Sequence, residues 1–370
     1  MLHIRPASWM LKVQRRLGHL PASVSVAEGR NLVYSHDGTV RRTPASNEKL
    51  LLSMALLDRF GPAYRIPTAV EGKQPVKGTL RGNLWLVGHG DPEVSGATLR
   101  QLAREVRAAG VRTVSGSVIG VTTTFTRERW APGWTREALD NIGLPVALDF
   151  EGNVAHGKFV FHPERRAAAA LTKVMGKMGI SVRGRARGGP GPGHAHVLAS
   201  FRSAPLVDIL RRMNLESLNL DAEVLDKMLG ASVFGTPGSI AKGARAIGSW
   251  VRRQGIDAVT RDASGLSYDD RITTDGMARL LATAASEPWG PALRSTLPAA
   301  GQGTLAGRLS GLNVRAKTGT LLQDVSALSG WVWEKRAGQW AEFSVLSRGL
   351  PKYRAIAVED RVVTIIAEHA

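Results

Sequence analysis

The first part of the chain alternates between strand-like and helix-like patterns of apolar and polar residues. Residues 23–34 contain two short alternating runs on either side of a Glu-Gly-Arg turn, which predicts a β-hairpin. An apolar run with helical character follows over 50–57, and a Phe-Gly-Pro sequence at 60–62 closes it. The pattern therefore predicts a helix that begins near Ser46 and ends before residue 61.

Residues 66–200 have a different pattern. Strand-like runs at 84–87 and 118–121 flank a helix-like segment at 97–109, an order typical of a βαβ unit. The stretch 184–193 is rich in Gly and Pro and predicts a loop at a domain edge.

The last section predicts helices at 205–213, 221–229 and 239–254, strands at 314–319, 329–334 and 340–348, and a helix at 355–369. The N-terminal hairpin and these strands are suited to one shared antiparallel sheet. We therefore expect residues 1–65 and 201–370 to form one α/β (α+β) domain, a sheet flanked by helices, and residues 66–200 to form an inserted α/β domain. Lys317 should then lie opposite Ser46.

Composition and charge restrict the possible functions. The chain has no cysteine, which excludes disulfides, thiol nucleophiles and Cys-based zinc sites. His194 and His196 lack a third ligand at a suitable spacing, so neither a metal nor a cofactor is expected. The net charge is +18, which favours anionic surroundings such as a wall polymer or a membrane surface. Because the basic residues are scattered, nucleic-acid binding is not expected.

No segment approaches the roughly 18 apolar residues of a membrane span. Residues 1–20 are basic but contain no continuous apolar core of the kind that a cleavable signal peptide needs.

Three short peptides are candidates for chemistry: Ser46-Asn47-Glu48-Lys49, Ser217-Leu218-Asn219 and Lys317-Thr318-Gly319. Each match alone is weak, because such short patterns occur by chance. A helix cap beside a solvent-facing lysine would explain Ser46 and Lys49, and a second helix cap would explain Ser217. In this order, however, they form the S-x-x-K, S-x-N and K-T-G set of penicillin-binding proteins and class A β-lactamases.

The residue types suit nucleophilic catalysis. A serine hydroxyl needs a base within reach, and a lysine three residues further along a helix lies on the same face. The helix N-terminus and nearby cations favour the neutral form of Lys49, which then accepts a proton. Ser217 and Asn219 are able to relay a proton and hold a substrate amide. An edge strand at 314–320 is able to bind an extended peptide, with a backbone N–H there and that of Ser46 forming an oxyanion hole.

The chain resembles the low-molecular-mass class C penicillin-binding proteins, the D-alanyl-D-alanine carboxypeptidase/endopeptidase family. The resemblance covers roughly residues 22 to 350. It rests on the three motifs and on five longer segments: 44–50, 84–92 with its G-x-G-D-P turn, 262–267 (Asp-Ala-Ser-Gly-Leu-Ser), 303–309 and 316–321.

The resemblance implies a penicillin-binding/β-lactamase-like transpeptidase fold and a serine carboxypeptidase that acts on peptidoglycan peptides, is inhibited by β-lactams and lies outside the cytoplasm. It implies these catalytic roles: Ser46 as nucleophile, Lys49 as its base, Ser217 as proton donor to the leaving group, Asn219 as amide ligand and Lys317 beside the substrate carboxylate. It implies substrate binding by Thr318, Gly319 and Thr320, and by Arg271 in a pocket for a diaminopimelate-type side chain.

The chain departs from the family pattern at Leu218, Leu215 and Ala263, and the first two put the rate in question more than the reaction type. The interval between Lys49 and Ser217 is short for the family, which suggests a reduced inner subdomain.

Two alternatives stay open. A serine β-lactamase or esterase of the same fold needs a base that hydrolyses the acyl-enzyme. Glu137 and Asn141 match an E-x-x-x-N pattern, but they precede Ser217, so we interpret the match as coincidence. The other alternative is a catalytically weak protein that binds cell-wall polymer.

Overall fold

The computed structural model describes residues 7–370. The α-helices are α1 (Ser8–Leu17), α2 (Glu48–Phe60), α3 (Gly96–Ala108), α4 (Pro163–Lys177), α5 (Leu206–Glu216), α6 (Asn219–Phe234), α7 (Ile240–Arg253), α8 (Thr274–Ser286), α9 (Gly290–Thr296) and α10 (Lys352–His369). The strands are β1 (Ala22–Glu28), β2 (Asn31–His36), β3 (Pro67–Gly72), β4 (Thr79–Leu80), β5 (Leu84–Gly88), β6 (Thr113–Val114), β7 (Val118–Val121), β8 (Val154–Ala155), β9 (Lys158–Phe159), β10 (Ser181–Val182), β11 (Arg187–Gly189), β12 (His196–Arg202), β13 (Val314–Leu321), β14 (Val325–Glu334) and β15 (Gln339–Arg348).

The main sheet joins the two ends of the chain. Its five strands have the order β13-β14-β15-β1-β2, and every neighbouring pair is antiparallel. β1 pairs with β15, so that Val24 lies opposite Val345. The prediction that the N-terminal hairpin and the C-terminal strands share one sheet is confirmed. β13 is the edge strand of this sheet. Residues 298–299 pair with it at Arg315 and Ala316, and among the described residues no further strand covers its outer side at 317–321.

Helices cover both faces of this sheet. α1 and α10 pack on one face, against apolar side chains of β14 and β15, and α8 packs on the other. The central helix is α2, in which every residue from Glu48 to Leu57 is buried. A helix that is buried all round belongs to the interior of a domain. Any polar side chain near its start is therefore held in a low-dielectric environment.

The residues between β3 and β12 form two further sheets, with strand orders β10-β6-β4 and β11-β7-β5-β3-β12. β5 and β7 are parallel and α3 lies between them in sequence, which confirms the predicted βαβ unit. These sheets and the helices α3 and α4 enclose a separate apolar core. Residues 125–147 leave this core: Phe125 packs with α2 and α6, and Trp134 packs near Ile240 of α7.

Some sequence predictions of secondary structure were incomplete. The predicted loop at 184–193 contains β11, which pairs in parallel with β7. This strand is paired through its backbone, and its glycines leave no alternation of apolar and polar side chains, so the sequence pattern did not indicate it. The helices α1, α4, α8 and α9 were not predicted. α4 and α8 are rich in alanine, which favours a helix but gives a weak apolar periodicity. Within residues 7–370, no helix combines the length and the apolar character that a membrane crossing requires.

Candidate active site

Ser46 and Lys49 lie at the N-terminal end of α2. Ser46 is the middle residue of a short 3₁₀ turn, Ala45–Asn47, that continues directly into the helix. The residue before it, Ala45, has a φ of 48°, a conformation that a residue other than glycine rarely adopts. Lys49 follows in the first helical turn, and its Nζ lies 3.2 Å from Ser46 Oγ. The structure thus places the predicted nucleophile within hydrogen-bond reach of the predicted base.

The amine of Lys49 is enclosed by oxygen atoms. It donates to Asn219 Oδ1 at 2.9 Å and to the carbonyl oxygen of Ser264 at 2.5 Å. The side chain is fully buried, and this burial lowers its pKa to about 8 although the carboxyl groups of Asp262 and Glu223 act in the opposite direction. From the sequence, the helix N-terminus and nearby cations were expected to lower the pKa of Lys49. Burial is the main cause.

Ser217 and Lys317 form the second pair. Ser217 lies between α5 and α6 with a φ of 59°, in the left-handed region. Lys317 Nζ donates to Ser217 Oγ at 2.9 Å and to the carbonyl oxygen of Thr318 at 2.7 Å. Lys317 is fully buried, and burial together with the nearby Lys49 holds its pKa well below the usual lysine range.

Two glycines allow the backbone at Ser46 to approach its neighbours. A Cβ on Gly319 of β13 would lie 3.0 Å from the backbone nitrogen of Ser46. A Cβ on Gly265, which has a φ of 78°, would lie 1.9 Å from the carbonyl oxygen of Ala45. The edge of β13 and the 262–267 loop therefore hold the Ser46 backbone from two sides, which is possible only without side chains at both positions.

Ser46 and Ser217 face an open cleft of about 690 Å³, and the buried Lys49 and Lys317 contact these two serines from within the protein. Ser46, Ser217, Asn219, Thr318 and Thr320 all line it. Several other residues that line this cleft were not predicted as site residues, among them Thr135, Glu137, Asn141, Tyr268, Arg308 and Lys352.

The Glu137 and Asn141 pair is the clearest of these omissions. We interpreted their E-x-x-x-N spacing as a coincidence because both precede Ser217. The structure places both residues in the cleft wall, and Asn219 Nδ2 donates to the carbonyl oxygen of Asn141 at 3.4 Å. The spacing alone did not indicate this position, because it depends on how residues 125–147 pack in the folded chain.

Arg271 does not line the cleft, so the prediction that it contacts a substrate side chain is corrected. One guanidinium nitrogen, Nη1, donates to Thr43 Oγ1 at 3.0 Å and to the carbonyl oxygens of Tyr268 at 2.5 Å and Asp270 at 2.7 Å. Because Arg271 follows the 262–267 segment closely in the sequence, it was correctly expected to lie near this loop. The sequence did not show that the guanidinium turns inward to hold the loop.

We expect Arg271→Ala to lower stability and to reduce turnover of all substrates by the same factor. The change leaves two carbonyls and a hydroxyl without their donor, a loss of about 1–3 kcal/mol. Thermal unfolding measures the loss of stability. Hydrolysis rates on a diaminopimelate-containing peptide and on diacetyl-Lys-D-Ala-D-Ala measure whether turnover of both substrates falls by the same factor. Arg271→Lys is the control, because it keeps a donor. A loss confined to the diaminopimelate peptide would restore the substrate role.

The fold and the arrangement of the three motifs define a low-molecular-mass class C penicillin-binding protein. The model of the D-Ala-D-Ala carboxypeptidase 3 (S13) family matches residues 13–145 and 149–369. A D-alanyl-D-alanine carboxypeptidase of Actinomadura sp. (strain R39) is 30% identical, over 94% of this chain and 80% of the relative. The chain therefore belongs to the D-Ala-D-Ala carboxypeptidase 3 (S13) family.

Solved structures agree with the fold. The crystal structure of penicillin-binding protein 4 (dacB) from Haemophilus influenzae is similar with a TM-score of 0.83 and 22% identity, covering 97% of this chain and 99% of that one. The same Haemophilus protein complexed with a β-lactam has a TM-score of 0.75 and 22% identity, covering 93% of each chain. The predicted fold class is confirmed.

Proposed function

We propose that this protein is a serine-type D-alanyl-D-alanine carboxypeptidase that cleaves peptidoglycan stem peptides through an acyl-serine intermediate, and that β-lactams acylate the same serine. Cleavage of cross-links by an endopeptidase activity uses the same chemistry and is included in the proposal. The observation that carries it is the 3.2 Å contact between Lys49 Nζ and Ser46 Oγ, with Ser217, which accepts a hydrogen bond from the buried Lys317, in the wall of the same cleft. Family membership supports the substrate class.

Acylation begins with a proton transfer within the first pair. Neutral Lys49 accepts the hydroxyl proton of Ser46 as Oγ attacks the carbonyl carbon between the two D-alanines. The negative charge that develops on the carbonyl oxygen is stabilised by the backbone N–H of Ser46 and by a backbone N–H of β13. The close packing of Gly319 against Ser46 brings these two backbones together.

The second pair acts on the departing end of the substrate. The peptide lies along the open edge of β13, and Asn219 holds one of its amides. Ser217 gives a proton to the nitrogen of the leaving D-alanine and regains one from Lys317. The terminal carboxylate binds beside Lys317 and Thr318, and its charge raises the pKa of Lys317 so that the ammonium form is favoured there. Water then hydrolyses the acyl-serine bond.

A fluorescent penicillin tests the proposal against its two alternatives. Stable labelling of the protein, together with release of D-alanine from diacetyl-Lys-D-Ala-D-Ala, supports the carboxypeptidase. Rapid turnover of the penicillin without peptide hydrolysis would indicate a β-lactamase. Neither labelling nor D-alanine release would favour a wall-binding protein and would overturn the proposal.

We also propose that the protein works outside the cytoplasmic membrane, where its substrate lies, and that its positive charge holds it near anionic wall polymer. One basic region supports this. Between residues 165 and 207 the sequence contains Lys and Arg but neither Asp nor Glu. Within it, Arg183, Arg185 and Arg187 are exposed and alternate with half-buried neighbours, so three guanidinium groups face solvent on the inserted domain.

We expect the triple variant Arg183→Gln, Arg185→Gln, Arg187→Gln to lose binding to sacculi that carry their anionic polymers. Binding of the unaltered protein should weaken as salt rises, because exposed charges are screened. Cosedimentation at low and at high salt measures both effects. The control is the triple variant Arg59→Gln, Arg252→Gln, Arg253→Gln, which removes the same amount of charge elsewhere in the chain. Equal losses in the two triple variants would show that net charge alone is responsible.

A further inference from the structure

Glu223 is a fully buried residue of α6, four positions after Asn219. Residues four apart lie on the same face of a helix, so both side chains are directed to the same side of α6. Asn219 contacts the amine of Lys49 directly, through Oδ1 at 2.9 Å. Glu223 contacts the 262–267 loop, which supplies another oxygen that accepts a hydrogen bond from Lys49.

The contact is made through the backbone of the loop. Glu223 Oε1 accepts from the backbone nitrogen of Ala263 at 3.0 Å and from that of Ser264 at 2.7 Å. The carbonyl oxygen of Ser264 then accepts from Lys49 Nζ at 2.5 Å. The same peptide unit continues into the nitrogen of Gly265, which donates to Asp262 Oδ1 at 2.8 Å. Because a peptide unit is planar, the bond from Gly265 to Asp262 fixes the plane of the Ser264 carbonyl. The two bonds to Glu223 hold the two preceding peptide units, and with them the position of Ser264 from which this carbonyl projects.

We infer that Glu223 is a positioning residue for acylation: it holds the Ser264 carbonyl, and this carbonyl and Asn219 together hold the Lys49 amine beside Ser46. The inference rests on the proposed function, because it assigns a task within the acyl-serine mechanism. It also gives α6 a double role. One face of this helix fixes two of the three oxygen atoms around the Lys49 amine, Asn219 Oδ1 directly and the Ser264 carbonyl through the loop; the third is Ser46 Oγ.

The charge of Glu223 acts on the same lysine. Its carboxyl group raises the pKa of Lys49 against the effect of burial, and burial raises the pKa of Glu223 itself to about 7. Its Oε2 has no hydrogen-bond partner among residues 7–370. The ionisable groups that face it are Glu48 and Lys49 of α2, Asp226 and Lys227 of α6, and Asp262 of the loop.

Two substitutions separate the hydrogen bonds from the charge. Glu223→Gln keeps an oxygen that accepts from Ala263 and Ser264, whereas Glu223→Ala removes it. Asp226→Asn is the matched control: Asp226 is a buried carboxyl group of the same helix, and neither of its oxygens has a hydrogen-bond partner in the described part of the chain. All three are compared with the unaltered protein for rate of acylation by penicillin as a function of pH, and for thermal unfolding.

We expect Glu223→Ala to acylate about 100-fold more slowly, Glu223→Gln to stay within about tenfold and Asp226→Asn within about twofold of the unaltered protein. In Glu223→Gln the rise of the rate with pH should move to lower pH by about half a unit, because a carboxylate that favours protonated Lys49 is gone. A folded Glu223→Ala protein with the full rate would overturn the inference, as would an unshifted Glu223→Gln profile. If Glu223→Ala does not fold, the Glu223→Gln profile decides.

A measurement without acylation separates this inference from the proposed function. The Cε resonance of ¹³C-labelled Lys49 reports its protonation state in the free protein. In Glu223→Gln its titration midpoint should move to lower pH, and in Asp226→Asn it should move less. That result would support the placement of Glu223 even if penicillin failed to label the unaltered protein. An unchanged midpoint in Glu223→Gln would overturn it even if labelling succeeded.

Discussion

Ser46→Ala should abolish the covalent adduct with penicillin and leave a folded protein. The serine hydroxyl is the only group at the end of α2 that faces the cleft and contacts the Lys49 amine. Without Oγ no acyl bond forms, and peptide turnover should fall by about 10⁴-fold or more. The fold should tolerate the change, because one hydrogen bond to a half-buried side chain contributes only about 1 kcal/mol.

Intact-protein mass spectrometry measures the adduct directly. Ser53→Ala is the control: Ser53 is a buried serine of the same helix, and its hydroxyl donates to the carbonyl oxygen of Lys49 at 2.7 Å, away from the cleft. This variant should label as the unaltered protein does. A stable adduct on Ser46→Ala would contradict the assignment of the nucleophile, and the peptide that carries the adduct would identify the true one.

The strands of the main sheet and the three motif peptides could be found in the sequence because both leave local signals. A strand leaves an alternation of apolar residues, and each catalytic motif consists of neighbours in sequence. The shared sheet of the N-terminal hairpin and the C-terminal strands could be predicted because both ends of the chain must bury an apolar face, but the particular pairing of β1 with β15 was not predicted. Helix α4 gave a weaker signal, since its apolar face is built largely from alanine.

Contacts between distant residues could not be predicted in this way. Nothing in the sequence states that the guanidinium of Arg271 turns toward Thr43 rather than toward solvent, because both directions suit an arginine beside a loop. In the sequence, Glu223 cannot be distinguished from other polar residues of a helix, because its contact with the 262–267 loop forms only in the folded chain. The wall formed by Glu137 and Asn141 depends on residues 125–147 returning to the catalytic helices, a tertiary contact with no local signature.

The two lysines of the site should respond differently to substitution. Lys49→Ala removes the base and should slow acylation by about 10²–10⁴-fold. Lys317→Arg keeps a cation beside Ser217 but changes the donor geometry, so binding should weaken more than the rate of the chemical step. Separate determination of kcat and KM distinguishes these effects. Equal and modest losses for both variants would indicate that neither lysine acts in the site.

The pH dependence of acylation gives the sharper test of Lys49. Burial lowers the pKa of Lys49 to about 8, and only the neutral amine accepts the proton of Ser46. The rate should therefore rise with pH up to about 8 and level off above it, and Lys49→Ala should lose this rise. Lys227→Met is the control for removal of a buried lysine, because Lys227 Nζ donates to backbone carbonyls at Thr126, Glu128 and Pro145 and does not line the cleft. It should lower the unfolding temperature and keep the rise. A rate that is flat between about pH 6 and pH 9 in the unaltered protein would exclude a lysine of lowered pKa as the base.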